Sequence, residues 1–145
     1  MQNLWVKKLA YKPKLRTYVH IKTNFETEPY LKENISKFKR SLLTQLRIGI
    51  LPLEIETGRY SRVALENRMC QICKENFIED EIHFVCKCSA YSSIREHFYQ
   101  KFNYYFHITD MDVYDKFCNI LKFENVKLLA DCISELWNTR KSILL

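Results

Sequence analysis

The feature that most constrains this chain is the spacing of three cysteines and one histidine near its middle. Cys70 and Cys73 are separated by two residues, His83 follows after nine more, and Cys88 after a further four. Zinc takes four sulfur or nitrogen ligands at the corners of a tetrahedron. The short first gap lets one turn direct both thiols at a single point, and the long gap lets a hairpin return with the other two ligands. The spacing therefore predicts one structural zinc ion.

Other interpretations of these cysteines remain open at this point. Cys86 could replace Cys88 as the fourth ligand, although the longer gap after His83 gives a turn ending at Cys88 more room to close. Cys70 and Cys73 could instead be small buried residues or a reduced thiol pair, but no thioredoxin-like strand and helix flank them. Four protein ligands leave no position for water, which disfavours a catalytic zinc. The net negative charge of such a site could be stabilised by nearby cations, namely Arg68, Lys74 and Lys87.

Basic residues are concentrated in the first half of the chain. Residues 1–68 hold 14 Lys and Arg against 6 Asp and Glu, whereas residues 69–145 hold 9 against 11. The whole chain of 145 residues carries a net charge of +6. A basic half favours a polyanionic partner such as nucleic acid, although a well-solvated surface explains it equally well.

The N-terminal residues and the cysteines bear on the compartment. Lys7 and Lys8 interrupt the first residues, so no signal peptide is predicted, and no run approaches the roughly 18 apolar residues of a membrane span. We therefore expect a nuclear or cytoplasmic protein, in which thiols stay reduced. Six cysteines in such a chain favour metal binding or core packing over disulfides. Cys118 and Cys132 fall within helical apolar patterns and are expected in the core.

Hydrophobic periodicity predicts a mainly α fold, a small helical domain with a central zinc-held hairpin of the CCHC type. Residues 1–30 are interpreted as a basic, extended N-terminal segment. The apolar residues that could attach this segment to a core are Trp5, Leu15, Tyr18, Ile21 and Phe25. Residues 31–145 are interpreted as the helical domain, which contains the zinc-binding hairpin over residues 68–90.

Four helices are predicted in the helical domain from apolar residues at spacings of three and four. Their apolar positions are Leu31, Ile35, Phe38, Leu42 and Leu46 in the first; Tyr91, Ile94, Phe98, Phe102, Tyr105 and Phe106 in the second; Val113, Phe117, Ile120 and Leu121 in the third; and Val126, Leu129, Ile133, Leu136 and Trp137 in the last, which ends near Lys141. Gly49 and Pro52 supply a stop for the first helix. Residues 53–57 alternate between apolar and polar, which predicts a short strand or extended arm with Gly58 as a turn residue.

Other candidate residues have simpler explanations. His20, His97 and His107 lack a second ligand at helical spacing, so we expect ordinary surface or core histidines. The aromatic run over residues 98–106 can stack on nucleic-acid bases. Its spacing fits a buried helical stripe better.

Several short stretches add to the metal pattern and extend over most of the chain. They are Lys14-Leu-Arg-Thr-Tyr18, Glu28-Pro-Tyr-Leu31, Leu46-Arg47, Leu53-Glu-Ile-Glu-Thr-Gly-Arg-Tyr60, Glu66-Asn-Arg68, Cys70-Gln-Ile-Cys73, Glu79-Asp-Glu-Ile-His-Phe84, Cys88 and Tyr91. Together they resemble the C-terminal zinc-binding region of reverse transcriptases from non-long-terminal-repeat retrotransposons, particularly the jockey-like group. Two positions depart from this resemblance: Cys86 is an extra thiol, and Ser89 stands where the family often has proline.

The resemblance implies a region that follows the polymerase and helps to hold element RNA or target DNA during target-primed reverse transcription. It also implies that Cys70, Cys73, His83 and Cys88 are the metal ligands. The polymerase itself is missing, because the chain has no Tyr-x-Asp-Asp motif and no adjacent pair of aspartates. Such a polymerase needs clustered carboxylates to hold Mg²⁺. We therefore expect that the chain is not an enzyme in its own right.

Two functions remain as hypotheses. The first is a zinc-stabilised nucleic-acid-binding module in which phosphates are contacted by Lys37, Lys39, Arg40, Arg47, Arg59, Arg62 and Arg68. The second is a protein-interaction or scaffold module, whose zinc is purely structural and whose aromatic helical faces dock a polymerase or another copy of the chain. A hydrolase or redox enzyme is disfavoured, because no Gly-rich phosphate loop or nucleophile elbow occurs.

Overall fold

The computed structural model describes residue 8 and residues 15–22, 24–102 and 110–145, and this part of the chain is mainly helical. Its α-helices are α1 (Tyr18–Ile21), α2 (Pro29–Lys32), α3 (Lys37–Ile48), α4 (Glu54–Tyr60), α5 (Ser92–Tyr99), α6 (Val113–Leu121) and α7 (Val126–Leu144). Short 3-10 turns cover Leu65–Asn67, Ser89–Tyr91 and Gln100–Phe102, and a π-helical turn covers His83–Lys87. The β pairing within these ranges is a single antiparallel bridge between Met69 and Ile78. The predicted fold class, mainly α with a hairpin at its centre, is confirmed.

Helices α3 and α7 pack against each other at the centre of the core. The C-terminal helix α7 buries the five apolar positions predicted for it, and it ends at Leu144, about one turn beyond Lys141. Asn125 caps its start, because the side-chain oxygen accepts a hydrogen bond from the backbone N–H of Leu128. None of the helices described, α7 included, has both the length and the apolar composition needed to cross a bilayer.

Helix α3 begins later than its apolar pattern predicted. The Ser36 hydroxyl caps it by accepting the backbone N–H of Lys39, and Gly49 ends it with a φ of 72°, which glycine adopts without strain. Leu31 and Phe38 were expected on the buried face, but both are nearly half exposed. Because residues 33–36 are not helical, the periodicity does not extend from α2 into α3. The buried face of α3 consists instead of Leu42, Leu43, Leu46 and Arg47.

The prediction of a short strand or extended arm over residues 53–57 is wrong, because these residues lead into and form helix α4. The Glu79 carboxylate accepts the backbone N–H of Glu54 at 2.8 Å, and the Glu79 carbonyl accepts that of Ile55 at 3.1 Å. Both donors belong to the first turn, whose N–H groups have no partner within the helix. Glu79, which lies 25 positions after Glu54 in the chain, therefore caps the start of α4. Gly58, predicted as a turn residue, lies inside this helix.

Helices α5 and α6 supply most of the remaining predicted core. The buried positions on and around them are Tyr91, Ile94, Phe98, Phe102, Phe117, Ile120 and Leu121, as predicted. Helix α5 ends at Tyr99, and a 3-10 turn continues the chain to Phe102. Tyr105, Phe106 and His107 lie outside the residues that the structure describes.

The described part of the N-terminal segment includes helix α1 and contributes unevenly to the core. Ile21 is buried, whereas Leu15 and Tyr18 are partly buried. Phe25 was expected to attach the segment to the core, but it lies in a surface bend and is 73% exposed. Trp5 falls outside the described residues.

Ion pairs attach this segment to the helical domain. The Glu28 carboxylate is buried between Lys22 and Arg47, with each cation 2.7 Å from one of its oxygens. The guanidinium of Arg16 pairs with the buried Glu81 at 2.5 Å. A buried carboxylate is tolerated when a cation compensates it. The segment is therefore joined both to α3 and to the region of the hairpin.

One buried ion pair also joins the hairpin to the last helix. Arg140 on α7 donates from Nε and Nη2 to the two carboxylate oxygens of Glu79, at 2.7 and 2.9 Å. The same carboxylate caps α4, and the Arg140 guanidinium lies 5.3 Å from the centre of the Trp137 ring. The hairpin, α4 and α7 are thus held together through Glu79.

We expect Arg140→Met to lower the free energy of unfolding by about 3–5 kcal/mol, because it leaves the Glu79 carboxylate buried without its cation. Urea denaturation followed by circular dichroism measures this loss. Lys141→Met is a matched control, since the Lys141 side chain is exposed and its ammonium lies over the face of the Phe38 ring. The control should lose less than about 1 kcal/mol. Equal losses in the two variants would contradict the role assigned to the ion pair.

Candidate metal centre

Cys70 and Cys73 lie on the short hairpin that begins at Arg68. The backbone N–H of Cys70 donates to the carbonyl of Phe77 at 2.8 Å, and the N–H of Glu79 donates to the carbonyl of Arg68 at 3.0 Å. Between these paired residues the chain reverses direction through residues 71–76. The pairing holds both thiols on one compact turn.

His83 and Cys88 come from the π-helical turn that follows the hairpin. Asp80 holds its start, because the carboxylate accepts the N–H of His83 at 2.7 Å and the carbonyl accepts the N–H of Phe84 at 3.0 Å. At its end the N–H of Cys88 donates to the carbonyl of His83 at 2.7 Å. In an α-helix two residues five positions apart lie about 140° from each other around the axis. The wider π turn brings such residues closer to one side.

The four predicted ligands converge on one point. Their ligand atoms all lie within 4.8 Å of one another. The sulfurs of Cys70 and Cys88 are 3.9 Å apart, and the Cys73 sulfur is 3.5 Å from Nε2 of His83. A tetrahedral metal with bonds of about 2.3 Å to sulfur and about 2.0 Å to nitrogen sets ligand separations of about 3.5–3.8 Å. A disulfide would need about 2.05 Å, so the residues fit a metal ion and not a disulfide.

Burial at this site disfavours ionised thiols unless a cation lies beside them. Cys70, Cys88 and His83 are all buried. Burial raises the pKa of the Cys88 thiol to about 12, although the backbone N–H of Ala90 opposes this rise. Burial also raises the pKa of Cys70 and lowers that of His83, which keeps the imidazole neutral and able to bind a metal at neutral pH. Thiolates here need a positive charge beside them, which a metal ion supplies.

One cation beside the site was not predicted. Arg68 donates to two backbone carbonyls of the preceding segment, and Lys74 and Lys87 are exposed. Arg95 of α5 is instead buried, and its Nη2 donates to the carbonyl of Cys88 at 2.5 Å. Sequence reasoning missed Arg95, because only the tertiary structure shows that α5 folds against the ligand turn.

Two further contacts cover the site. The ring of Phe77 lies 5.6 Å from that of His83, which places an aromatic side chain beside a ligand. The hydroxyl of Ser89 donates to the Glu75 carboxylate at 2.6 Å, which joins the tip of the hairpin to the residue after Cys88. Proline has no hydroxyl and could not make this contact. Ser89 therefore has a structural role of its own at this position.

The extra thiol lies outside the cluster. Cys86 is partly buried and packs against the hydrophobic core, while Cys88 joins the other three ligands. The geometry thus agrees with the choice of Cys88 over Cys86. The remaining cysteines and described histidines are placed as ordinary residues, with Cys118 and Cys132 buried in the core and His20 and His97 exposed.

The seven basic residues predicted to contact phosphate fall into three groups, which differ in burial and in the contacts of the side chain. Arg47 is buried, and its guanidinium is bound within the protein, so it is not available to an external phosphate. Lys37 and Arg62 are exposed. The others make contacts within the chain, to backbone carbonyls for Arg40 and Arg68 and to acidic side chains for Lys39 and Arg59.

We expect metal binding at neutral pH to release about three protons per ion, because three thiols must ionise before they bind. Neutral His83 should contribute none, since burial lowers its pKa. Titration calorimetry with Zn²⁺ in buffers of different ionisation enthalpy measures this number. Cys86→Ser should leave it at about three, whereas Cys88→Ser should lower it to about two. The reverse pattern would show that the metal takes the other thiol.

No family model matches this chain, and neither a curated protein nor a solved structure does. The basis for a functional proposal is therefore the chemistry of the chain itself. Its main element is the cluster of Cys70, Cys73, His83 and Cys88, which could hold a metal ion.

Proposed function

We propose that this chain is a zinc-stabilised nucleic-acid-binding module, in which the metal holds a surface for RNA or DNA. The observation that best supports the proposal is the convergence of Cys70, Cys73, His83 and Cys88. Three sulfurs and one imidazole would complete a tetrahedral set around one ion, which would leave no position for water or substrate. The metal on this proposal stabilises the fold and performs no chemistry.

The donor set favours zinc among the common metals. Magnesium and calcium prefer oxygen ligands, whereas thiolate and imidazole ligands select softer ions, of which Zn²⁺ is the usual tetrahedral choice. The site also joins two short pieces of chain, the hairpin and the π turn. Metal binding in such small sites is coupled to folding. Zinc is therefore proposed to hold these two pieces together.

Charge supports nucleic acid as the partner. The first half of the chain has 14 basic residues against 6 acidic ones. Exposed cations occur on α3 at Lys37, after α4 at Arg62, and next to the metal centre at Lys74 and Lys87. Cations of this kind bind phosphates with a strong salt dependence and little sequence preference.

We further propose that the module is related to the C-terminal region of non-long-terminal-repeat retrotransposon reverse transcriptases. On this proposal it assists the binding of RNA or target DNA in target-primed reverse transcription and works beside a polymerase, in the nucleus or the cytoplasm. The support is the resemblance of several sequence stretches. The chain itself has no adjacent pair of aspartates for a polymerase site, so we propose no enzymatic activity for it.

We expect the purified chain to contain one zinc ion, measured by inductively coupled plasma mass spectrometry. Cys70→Ser, His83→Ala and Cys88→Ser should each lose or weaken it, while Cys86→Ser should keep it. Because metal binding supplies on the order of 10 kcal/mol in small finger domains, chelation should increase hydrogen exchange across residues 68–90. A chain that lacks metal and keeps the same protection would contradict a zinc-stabilised fold.

We expect the double variant Lys37→Glu, Arg62→Glu, at the two exposed cations of the predicted set, to bind RNA or single-stranded DNA more weakly than the wild type. Loss of two phosphate contacts should flatten the slope of log affinity against log salt by about 1.4 or more. Fluorescence anisotropy at several salt concentrations measures both effects. Arg68 is left unchanged because it is bonded within the fold, and Lys127→Glu, at an exposed site of α7, is the control. Affinity that does not depend on salt would count against nucleic acid as the partner.

A second candidate is a protein-interaction module whose zinc is purely structural. The observation that favours it is apolar surface on two packed helices, where Phe38 of α3 and Ile143 and Leu144 of α7 are each nearly half exposed. The Lys141 ammonium lies 5.3 Å from the centre of the Phe38 ring, which places the end of α7 beside this part of α3. A partner that stays bound after nuclease treatment, together with no measurable RNA affinity, would favour this candidate.

A further inference from the structure

Two long basic side chains lie where the backbone favours glycine. Among the residues described, positive φ angles outside glycine occur at Arg62 (57°), Lys74 (57°) and Asn76 (62°). Asparagine enters this left-handed region readily, but arginine and lysine do so at a cost in stability. Arg62 and Lys74 are also exposed, so no packing requirement explains a long side chain there. Glycine at either position would remove the strain.

The two strained cations stand on pieces of chain that are joined to each other. Arg62 lies in a turn closed by the N–H of Val63, which donates to the carbonyl of Gly58 at 2.8 Å. Arg68 holds this turn, because its Nε donates to the carbonyl of Val63 at 3.0 Å and its Cγ fills the space where a Cβ of Gly58 would be, 2.6 Å away. Arg68 also begins the hairpin whose reversal contains Lys74. The backbone turns that carry Arg62 and Lys74 are therefore connected through Arg68.

Two exposed aromatic rings lie close in sequence to these cations, because Tyr60 stands two residues before Arg62 and Phe77 three residues after Lys74. Tyr60 is 69% exposed and Phe77 is 52% exposed. The Arg59 guanidinium lies 5.0 Å from the centre of the Tyr60 ring, and the Phe77 ring lies beside that of the ligand His83. Aromatic side chains next to cations are the features that bind unstacked bases and their phosphates. Bases in a duplex are stacked on each other and do not offer their faces to such rings.

We propose that Arg62 and Lys74 bind the phosphates of a single-stranded nucleic acid whose bases pack on Tyr60 and Phe77. This inference rests on the proposed function and adds the strand state and the residues that bind it. Strained backbone often marks a functional position, where the side chain is kept although another residue would be more stable. Here the side chain is a cation at both positions, and a cation is what a phosphate requires.

The test compares stability and binding in the same full-length, zinc-loaded variants. Arg62→Gly should raise the melting temperature by about 2–4 °C, because glycine relieves the positive φ. It should also weaken binding to an unstructured oligouridine RNA by about fivefold and flatten the salt slope by about 0.7. Lys74→Gly should have the same effects on melting temperature, affinity and salt slope. The zinc content of this variant is also measured, because Lys74 directly follows Cys73. Oligothymidine DNA serves as a second single strand, and a duplex of matched length as the comparison.

Two control variants separate strain from charge. Asn76→Gly changes a residue with the same left-handed backbone but no charge, so binding should not change. Lys127→Gln removes an exposed charge at the start of α7, about 20 Å along the helix from Arg140, and binding should again not change. Tyr60→Ala should weaken binding to the single strand and leave the salt slope unaltered, because it removes stacking and no charge.

The outcomes distinguish this inference from the function on which it rests. If the wild type binds RNA but the two glycine variants bind it equally well, the inference is overturned and the proposed function stands. Equal affinity of the wild type for duplex and single strand, or glycine variants that are no more stable, would also overturn the inference. If the wild type binds neither RNA nor DNA, the proposed function fails and the inference fails with it.

Discussion

The carboxylate of Glu79 holds three parts of the structure in register. The carboxylate oxygens accept hydrogen bonds from the Arg140 guanidinium and from the backbone N–H of Glu54. The backbone carbonyl of Glu79 also accepts a hydrogen bond from the N–H of Ile55. A buried charge is tolerated only when its partners are in place, so the hairpin, α4 and α7 cannot shift independently. The positions of Cys70 and Cys73 therefore depend on a carboxylate that is not itself among the converging ligands.

Features that depend on neighbouring residues could be predicted from the sequence. The spacing of the four ligands is local, and the structure brings their ligand atoms within 4.8 Å. The apolar face of α7 and the core positions of Cys118 and Cys132 follow from helical periodicity, which a single segment reveals. In each case the information lies within one continuous segment of the chain.

Features that depend on distant residues could not be predicted. Residues 53–57 alternate like a strand, but the cap that favours helix α4 comes from Glu79. The buried pairing of Arg47 with Glu28 and the contact of Arg95 with Cys88 likewise join separate segments. Charge composition indicated a class of partner, but it could not tell cations bonded inside the fold from cations that face solvent.

The π-helical turn explains why Cys86 lies outside the cluster although it is closer to His83 in sequence than Cys88 is. In a regular α-helix, Cys86, three residues after His83, would lie within about 60° of it, and Cys88 would lie about 140° away. In the π-helical turn the N–H of Cys88 instead bonds to the carbonyl of His83, five residues earlier. This wider turn brings Cys88, and not Cys86, to the side of His83. The number of residues per turn thus decides which sulfur lies with His83 in the cluster, with no contribution from the chemistry of the two side chains.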